Sequence, residues 1–281
     1  MKLVRFGRAG QEKPGLLHAD GRIRDLSKVV KDIDPTTIGQ LSKLKSVKID
    51  KLPVVKGRPR LGPPVARSSK FIAIGLNYSD HAAETNSPIP KEPIIFTKAT
   101  TSICGPNDNV IQPKGSIKLD WEVELAFVIG RTARYVAEKD ALRYVAGYMV
   151  CNDVSERHFQ AERGGQWTKG KSADTFGPIG PWLVTPDEIK DPQNLAMFLD
   201  VNGERMQTGN TATMIFGVAT ILSYVSQFMT LLPGDLVTTG TPPGVGLGKK
   251  PPIFLKPGDV MRLGIAGLGE QQQKVVAYKG K

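Results

Sequence analysis

Two glutamates and an aspartate hold the densest chemistry in this sequence. In Asp120-Trp121-Glu122-Val123-Glu124-Leu125-Ala126-Phe127-Val128-Ile129, an extended backbone sends alternate side chains to opposite faces and sets Glu122 and Glu124 side by side. Two carboxylates that close raise each other's pKa unless a cation or a proton intervenes, so a half-buried Glu-x-Glu asks for a metal. Taken alone, the pattern suits an exposed edge strand with outward charges better. A second apolar run ending in acid, Tyr148-Met149-Val150-Cys151-Asn152-Asp153, brings a third carboxylate to the same core. Three carboxylates without His or Cys suit a hard cation, Mg²⁺ at about 2.1 Å, with positions left for water or substrate. Asp120 sits where the strand begins; it reads as a partly solvated residue and stays outside the set.

A lysine and a histidine add to this. Gly165-Gln166-Trp167-Thr168-Lys169-Gly170-Lys171-Ser172 satisfies the phosphate-loop pattern letter by letter. Its context is wrong: charged Ser155 to Arg163 precede it where a buried strand is needed, and glycines and prolines from Gly177 to Pro181 forbid a following helix. Lys171 is better read as a cation near the carboxylates, able to stabilise an enolate or bind a substrate carboxylate. The bland alternative is a surface lysine in a Gly-rich loop. His18 and His158 stand in polar surroundings. In Asn77-Tyr78-Ser79-Asp80-His81-Ala82-Ala83-Glu84 a helical turn brings Glu84 against His81 at i,i+3, where it can orient the imidazole as a base for water. Asn86-Ser87-Pro88-Ile89-Pro90 behind it would let the turn move as a lid.

The elements that must position these groups are mostly strands. β-like runs fall at Phe71 to Ile74, Pro93 to Phe96, Trp121 to Ile129, Val145 to Cys151, Leu195 to Val201, Asp235 to Thr238, Val260 to Ile265 and Lys274 to Tyr278. Asn202-Gly203 marks a two-residue hairpin. One long helix is expected over Thr213 to Met229, from Ile215, Val218, Leu222, Val225 and Met229 at three-to-four spacing. Asp25-Leu26-Ser27 and Asp34-Pro35-Thr36-Thr37 are expected helix starts. Short strands and long Gly/Pro loops suggest a β-rich roll or sandwich rather than alternating βαβ units. A Pro/Gly/basic stretch from Leu52 to Pro64 reads as a linker, which divides the chain into a small basic unit at 1–66 and a larger one at 67–281.

The net charge of +11 lies wholly in the first quarter. Residues 1–70 carry 17 Lys/Arg against 6 Asp/Glu, and the rest carry 21 of each sign. The basic residues are scattered rather than striped with aromatics, which favours a solvated surface over a nucleic-acid face. Among 281 residues no apolar run approaches the roughly 20 needed to span a bilayer, and the start lacks a signal-peptide stretch, so a cytoplasmic enzyme is expected. Cys104 and Cys151 are read as reduced, with Cys151 in a strand.

Ile74-Gly75-Leu76-Asn77-Tyr78, Glu122-x-Glu124, Asn152-Asp153-Val154-Ser155, Gly170-Lys171-Ser172 and Thr239-Gly240-Thr241-Pro242, in this order, resemble the fumarylacetoacetate hydrolase family over residues 71–278. The resemblance implies an α+β, β-rich fold, a mixed β-sandwich roll with a small N-terminal α/β domain. It also implies a homodimer, a Mg²⁺ or Mn²⁺ site on Glu122, Glu124 and Asp153, and small 2-oxo acid substrates. By the same resemblance His81 and Glu84 match a lid dyad that activates water, and Lys171, Arg157, Gln160 and Thr241 match substrate or oxyanion contacts. The stretch from Asp120 to Pro181 is most similar to the sugar-acid branch, often labelled ureidoglycolate lyase, that hydrolyses 2,4-diketo-3-deoxy-fuconate or -rhamnonate. Leu76 departs from the acylpyruvate hydrolases, which often carry Arg there. Alternatives within the family are acylpyruvate hydrolase, oxaloacetate decarboxylase and 2-hydroxyhepta-2,4-diene-1,7-dioate isomerase. A nucleic-acid-binding or scaffold protein is the non-enzymatic alternative.

Overall fold

The computed structural model describes residues 1–84 and 87–280. The chain begins with β1 (Lys2–Phe6), β2 (Lys13–Leu17), β3 (Ile23–Asp25), the short helix α1 (Pro35–Ile38) and β4 (Leu61–Gly62). Next come β5 (Phe71–Gly75), α2 (Ser79–Glu84), β6 (Ile94–Lys98), β7 (Ile103–Cys104), β8 (Val110–Gln112) and β9 (Leu119–Asp120). The central strands β10 (Val123–Ile129) and β11 (Val145–Asn152) lead to β12 (Ser155–Glu156), α3 (Arg157–Ala161), α4 (Thr168–Lys171) and β13 (Gly177–Val184). Last are β14 (Ala196–Val201), β15 (Glu204–Asn210), α5 (Val218–Phe228), β16 (Leu236–Thr238), β17 (Val260–Ile265) and β18 (Gly269–Ala277).

The architecture is α+β and strand-rich, as expected. An 11-stranded sheet runs β3-β2-β1-β13-β11-β10-β16-β5-β6, with β4 on β1 and β7 on β13; a five-stranded sheet runs β15-β14-β17-β18-β8. The two pack face to face. Val123, Leu125, Phe127 and Ile129 of β10 share one apolar cluster with Leu199, Met261, Leu263 and Val275 of the second sheet. Ala126 and Val128, pointing the other way, pack with Leu3, Leu26, Ile33 and Ile38. This period of two decides where the chemistry goes, because Glu122 and Glu124 share the parity of Ala126. β1 pairs with β13, so residues 1–66 and the larger unit share one sheet.

Asn202 and Gly203 both have positive φ, 52° and 84°, as the expected hairpin turn requires. Asp34 caps α1 through Thr37 N–H at 3.0 Å. Three local expectations need correction. The long helix begins at Val218 rather than Thr213. Met214 has a non-helical ψ of 136°, the Phe216 amide that a helix from Thr213 would use bonds to the Asn77 side chain at 2.8 Å, and Gly217 is the N-cap. Asp25 starts no helix; its carboxylate accepts the Ser27 amide at 2.7 Å in a local turn. β18 begins at Gly269, five residues before the expected run, because Gln271 and Gln273 face inward and are buried.

Candidate active site

β10 and β11 run antiparallel with Glu124 opposite Cys151, and the Asp153 amide bonds to the Glu122 carbonyl at 2.9 Å. This register gathers Glu122, Glu124 and Asp153, all buried, with carboxylate oxygens within 4.8 Å of one another. Lys171, at the end of α4, points its Nζ at Glu122 Oε2 (2.6 Å) and Asp153 Oδ2 (2.8 Å). The segment around it makes no phosphate loop: α4 is four residues long and no helix follows it before β13. Arg157 Nη2 donates to Glu122 Oε1 at 2.6 Å and Nη1 to Gln160 Oε1 at 3.1 Å.

Two members of this network escaped the sequence reading. Lys98, 2% exposed, donates from Nζ to Asp153 Oδ1 at 2.5 Å. Its signal was the alternation of β6, which buries Phe96 and Lys98 on one face. Asp120 is fully buried, contrary to the expectation of a solvated residue. Its carboxylate accepts from Arg157 Nε at 2.8 Å and from the amides of Trp121, Gly246 and Leu247 at 2.8, 2.7 and 3.0 Å.

Three cations, Lys98, Lys171 and Arg157, thus face four carboxylates. Burial pushes Glu122 up, but the neighbouring Lys171 and Arg157 outweigh it and hold the group at about 2. Lys171 is likewise opposed by burial, yet Asp153 and Glu122 keep it above its ordinary value. Glu124 is the member left over. It accepts the Gly240 amide at 3.0 Å, and burial, reinforced by Asp153 and Glu122, pushes it well above the carboxylate range. A buried acidic set short of one positive charge, offering only oxygen donors, fits a hard divalent cation.

α2 stands across the same cavity. His81 Nδ1 lies 3.0 Å from Glu84 Oε2, the i,i+3 contact expected from the sequence. Glu84 also accepts the Gly244 amide, at 3.1 and 3.2 Å. Of the stretch expected to free this turn as a lid, Asn86 lies outside the described residues. A cavity of about 100 Å³ is lined by His81, Glu122, Glu124, Arg157, Gln160, Lys171 and Thr241 together with Leu76, Phe96 and Trp167. The structure therefore brings together every site residue named from the sequence: Asp153 and Glu84 join through the bonds above. The Thr241 hydroxyl is committed, donating to the Val123 carbonyl and accepting from Gln207, at 2.9 and 2.8 Å.

Trp167 is a wall that sequence reasoning passed over. It meets Phe96 edge-on at 5.3 Å between ring centres, and a Cβ on Gly75 would come within 2.3 Å of its ring. Leu76 beside it has φ of 46°, a conformation that costs a non-glycine residue free energy and concentrates at functional sites.

Residues 70–276 match the family description "Fumarylacetoacetate (FAA) hydrolase C-terminal". The chain belongs to the fumarylacetoacetate hydrolase family. A relative from Sphingomonas sp. (strain SKA58), named 2,4-didehydro-3-deoxy-L-rhamnonate hydrolase, is 60% identical over 280 residues, covering 99% of this chain and 97% of its own. Among solved structures, the fumarylacetoacetate hydrolase from psychrophilic Exiguobacterium antarcticum is 38% identical, with a TM-score of 0.90 over 99% of this chain and 100% of that one. Maleylpyruvate hydrolase from Sphingobium sp. SYK-6, solved with manganese(II) and pyruvate, is 29% identical, with a TM-score of 0.83 over the same shares. This chain is an enzyme of that hydrolase family, and no helix among its described residues is long and apolar enough to cross a membrane.

Proposed function

We propose that the enzyme is a Mg²⁺-dependent hydrolase, with Mn²⁺ able to substitute, that cleaves the C3–C4 bond of a 2,4-diketo acid. The observation that carries this is one cavity shared by a buried three-carboxylate cluster and a His–Glu pair. Identity with the Sphingomonas relative makes 2,4-diketo-3-deoxy-L-rhamnonate the first substrate to test, ahead of the fuconate analogue. The resemblance adds a homodimer to this reading.

Held by Glu122, Glu124 and Asp153, the cation supplies Lewis-acid polarisation of a 2-oxo carboxylate. Lys171, between Glu122 and Asp153, is placed to offset negative charge growing on the C2 oxygen. His81, whose Nδ1 is turned to Glu84, offers Nε2 as the base that takes a proton from the water attacking C4. Because Arg157 donates to Gln160 Oε1, the Gln160 amide is oriented with its NH₂ as the donor for the oxyanion at C4. The C3–C4 bond then breaks, its electron pair passes to the pyruvate fragment, and C3 gains a proton. One water is consumed, and the products are pyruvate and a second acid, lactate for the deoxy-sugar substrate. Pyruvate release from acetylpyruvate, oxaloacetate and the two diketo sugar acids, measured with Mg²⁺ and with EDTA, tests the reading. Metal-dependent release fastest from a diketo sugar acid is expected; release from oxaloacetate alone would make the enzyme a decarboxylase instead.

A further inference from the structure

Asp120 neither lines the cavity itself nor belongs to the three clustered carboxylates, yet it bonds to what holds both halves of the site. On one side its Oδ2 fixes Arg157 Nε at 2.8 Å, and Arg157 in turn fixes Glu122. On the other side the Asp120–Trp121 pair grips the segment from Gly244 to Leu247. Asp120 takes the Gly246 and Leu247 amides, and the Trp121 indole donates to the Gly244 carbonyl at 3.1 Å. The Gly244 amide at the near end of that segment goes to Glu84, the partner of His81. The segment is thus clamped between two carboxylates, Asp120 from the sheet side and Glu84 from α2. Glycine is required at Gly246, where a Cβ would lie 2.0 Å from the Ile253 carbonyl oxygen and 2.7 Å from Asp120.

We infer that Asp120 is a positioning residue that sets the carboxylate cluster and the His81–Glu84 pair relative to each other, through Arg157 on one side and Gly244–Leu247 on the other. All four of its hydrogen bonds are accepted, two at each oxygen. In Asp120→Asn either amide orientation sets an NH₂ against a donor of the Gly246–Leu247 segment, Gly246 at one oxygen position or Leu247 at the other, whereas the Arg157 bond is lost for certain only in Asp120→Ala, which removes both oxygens. The coupling is a property of the fold; only its consequence for catalysis rests on the function proposed above.

Amide hydrogen exchange in the metal-free protein tests it without any assay of activity. In Asp120→Asn, exchange at Gly244–Leu247 and at the Ala82 amide in α2 should both quicken, by about tenfold or more. Quickening confined to Gly244–Leu247, with α2 unchanged, overturns the link to the dyad. Mn²⁺ titration reads the other side: Asp120→Ala, which leaves Arg157 no acceptor at position 120, should bind Mn²⁺ about tenfold more weakly because Glu122 loses its brace. Unchanged affinity overturns the link through Arg157. Should Asp120→Asn fail to fold, Leu247→Pro removes a single amide donor at the second position of the 3₁₀ turn Gly246–Gly248. It should quicken exchange in α2 while leaving Mn²⁺ affinity as in wild type, and no change in α2 exchange refutes the clamp. Wild-type protein that takes up no Mn²⁺ would refute the proposed function, and the exchange data would still decide the coupling.

Discussion

Glu122 and Glu124 of the carboxylate cluster line one cavity with His81 of the His81–Glu84 pair, but cluster and pair are held by different means. Glu122, Glu124 and Asp153 sit at the ends of β10 and β11, the middle of the large sheet, where strands cover both flanks and buried cations fix every acid but Glu124. The dyad rides on six residues of helix, too short to stand alone in water. Among the contacts that tie α2 down are the Tyr78–Met214 bridge, Ser79 and Asp80 on Thr213, and Glu84 on Gly244. Charges that repel one another need a rigid frame, since small displacements change their energy steeply. A base for water needs only to arrive in the right place once substrate is bound.

That contrast can be broken first on its rigid side. Glu122→Gln should lower Mg²⁺-dependent pyruvate release by roughly a thousandfold or more, because it removes a charged oxygen ligand and one of the two carboxylate partners of both Lys171 and Arg157. Full turnover in steady-state assays of this variant would show that the cluster is not the metal site. On the side of the dyad, His81→Ala should slow hydrolysis by about a hundredfold or more. It should spare decarboxylation of oxaloacetate, which needs enolate stabilisation but no attacking water. Parallel loss of both activities would mean that the two regions do not divide the labour in this way.

The two regions also differed in how far the sequence revealed them. Local patterns were legible: short apolar runs located β10 and β11, and i,i+3 spacing located the His81–Glu84 contact. What resisted reading depends on long-range partners. Asp120 looks like a strand-end residue until Gly246 and Leu247, over a hundred positions away, turn their amides to it. The first turn of the expected long helix is lost because Met214 is non-helical and Asn77 claims the Phe216 amide from outside. β18 was missed over Gln271 to Gln273 because inward glutamines break the hydrophobic alternation. Gln271 donates to the carbonyls of Val150 and Gly180, and Gln273 accepts from Asn152, so polar side chains serve as core there.

A smaller effect follows from the charge left over at Glu124. Its pKa is raised in the folded, metal-free protein, so the folded state holds a proton that the unfolded chain has released. Glu124 therefore contributes most to stability below its unfolded pKa, and that contribution fades as pH rises toward the folded value. Cation binding must expel the proton, so affinity should strengthen by up to about tenfold per pH unit until Glu124 ionises without metal. Calorimetric titration of Mn²⁺ in buffers of different ionisation enthalpy should show a proton released on binding. Glu124→Gln should bind weakly and release none; the same proton release from that variant would assign it to another group.

The smallest expected effect probes the aromatic wall of the cavity. Trp167 lies against the backbone of Gly75 so closely that a methyl group there would meet its ring at 2.3 Å. Gly75→Ala must therefore push Trp167 away from Phe96 while leaving the cluster and the dyad bonded as they are. Because the strand itself accommodates alanine, stability should change little, and the effect should appear in substrate binding. KM for the diketo acid should rise by about tenfold, the scale of one lost methylene-sized contact in an apolar pocket, with kcat nearly preserved. A fall in kcat at constant KM would place Trp167 with the reacting groups rather than with the wall.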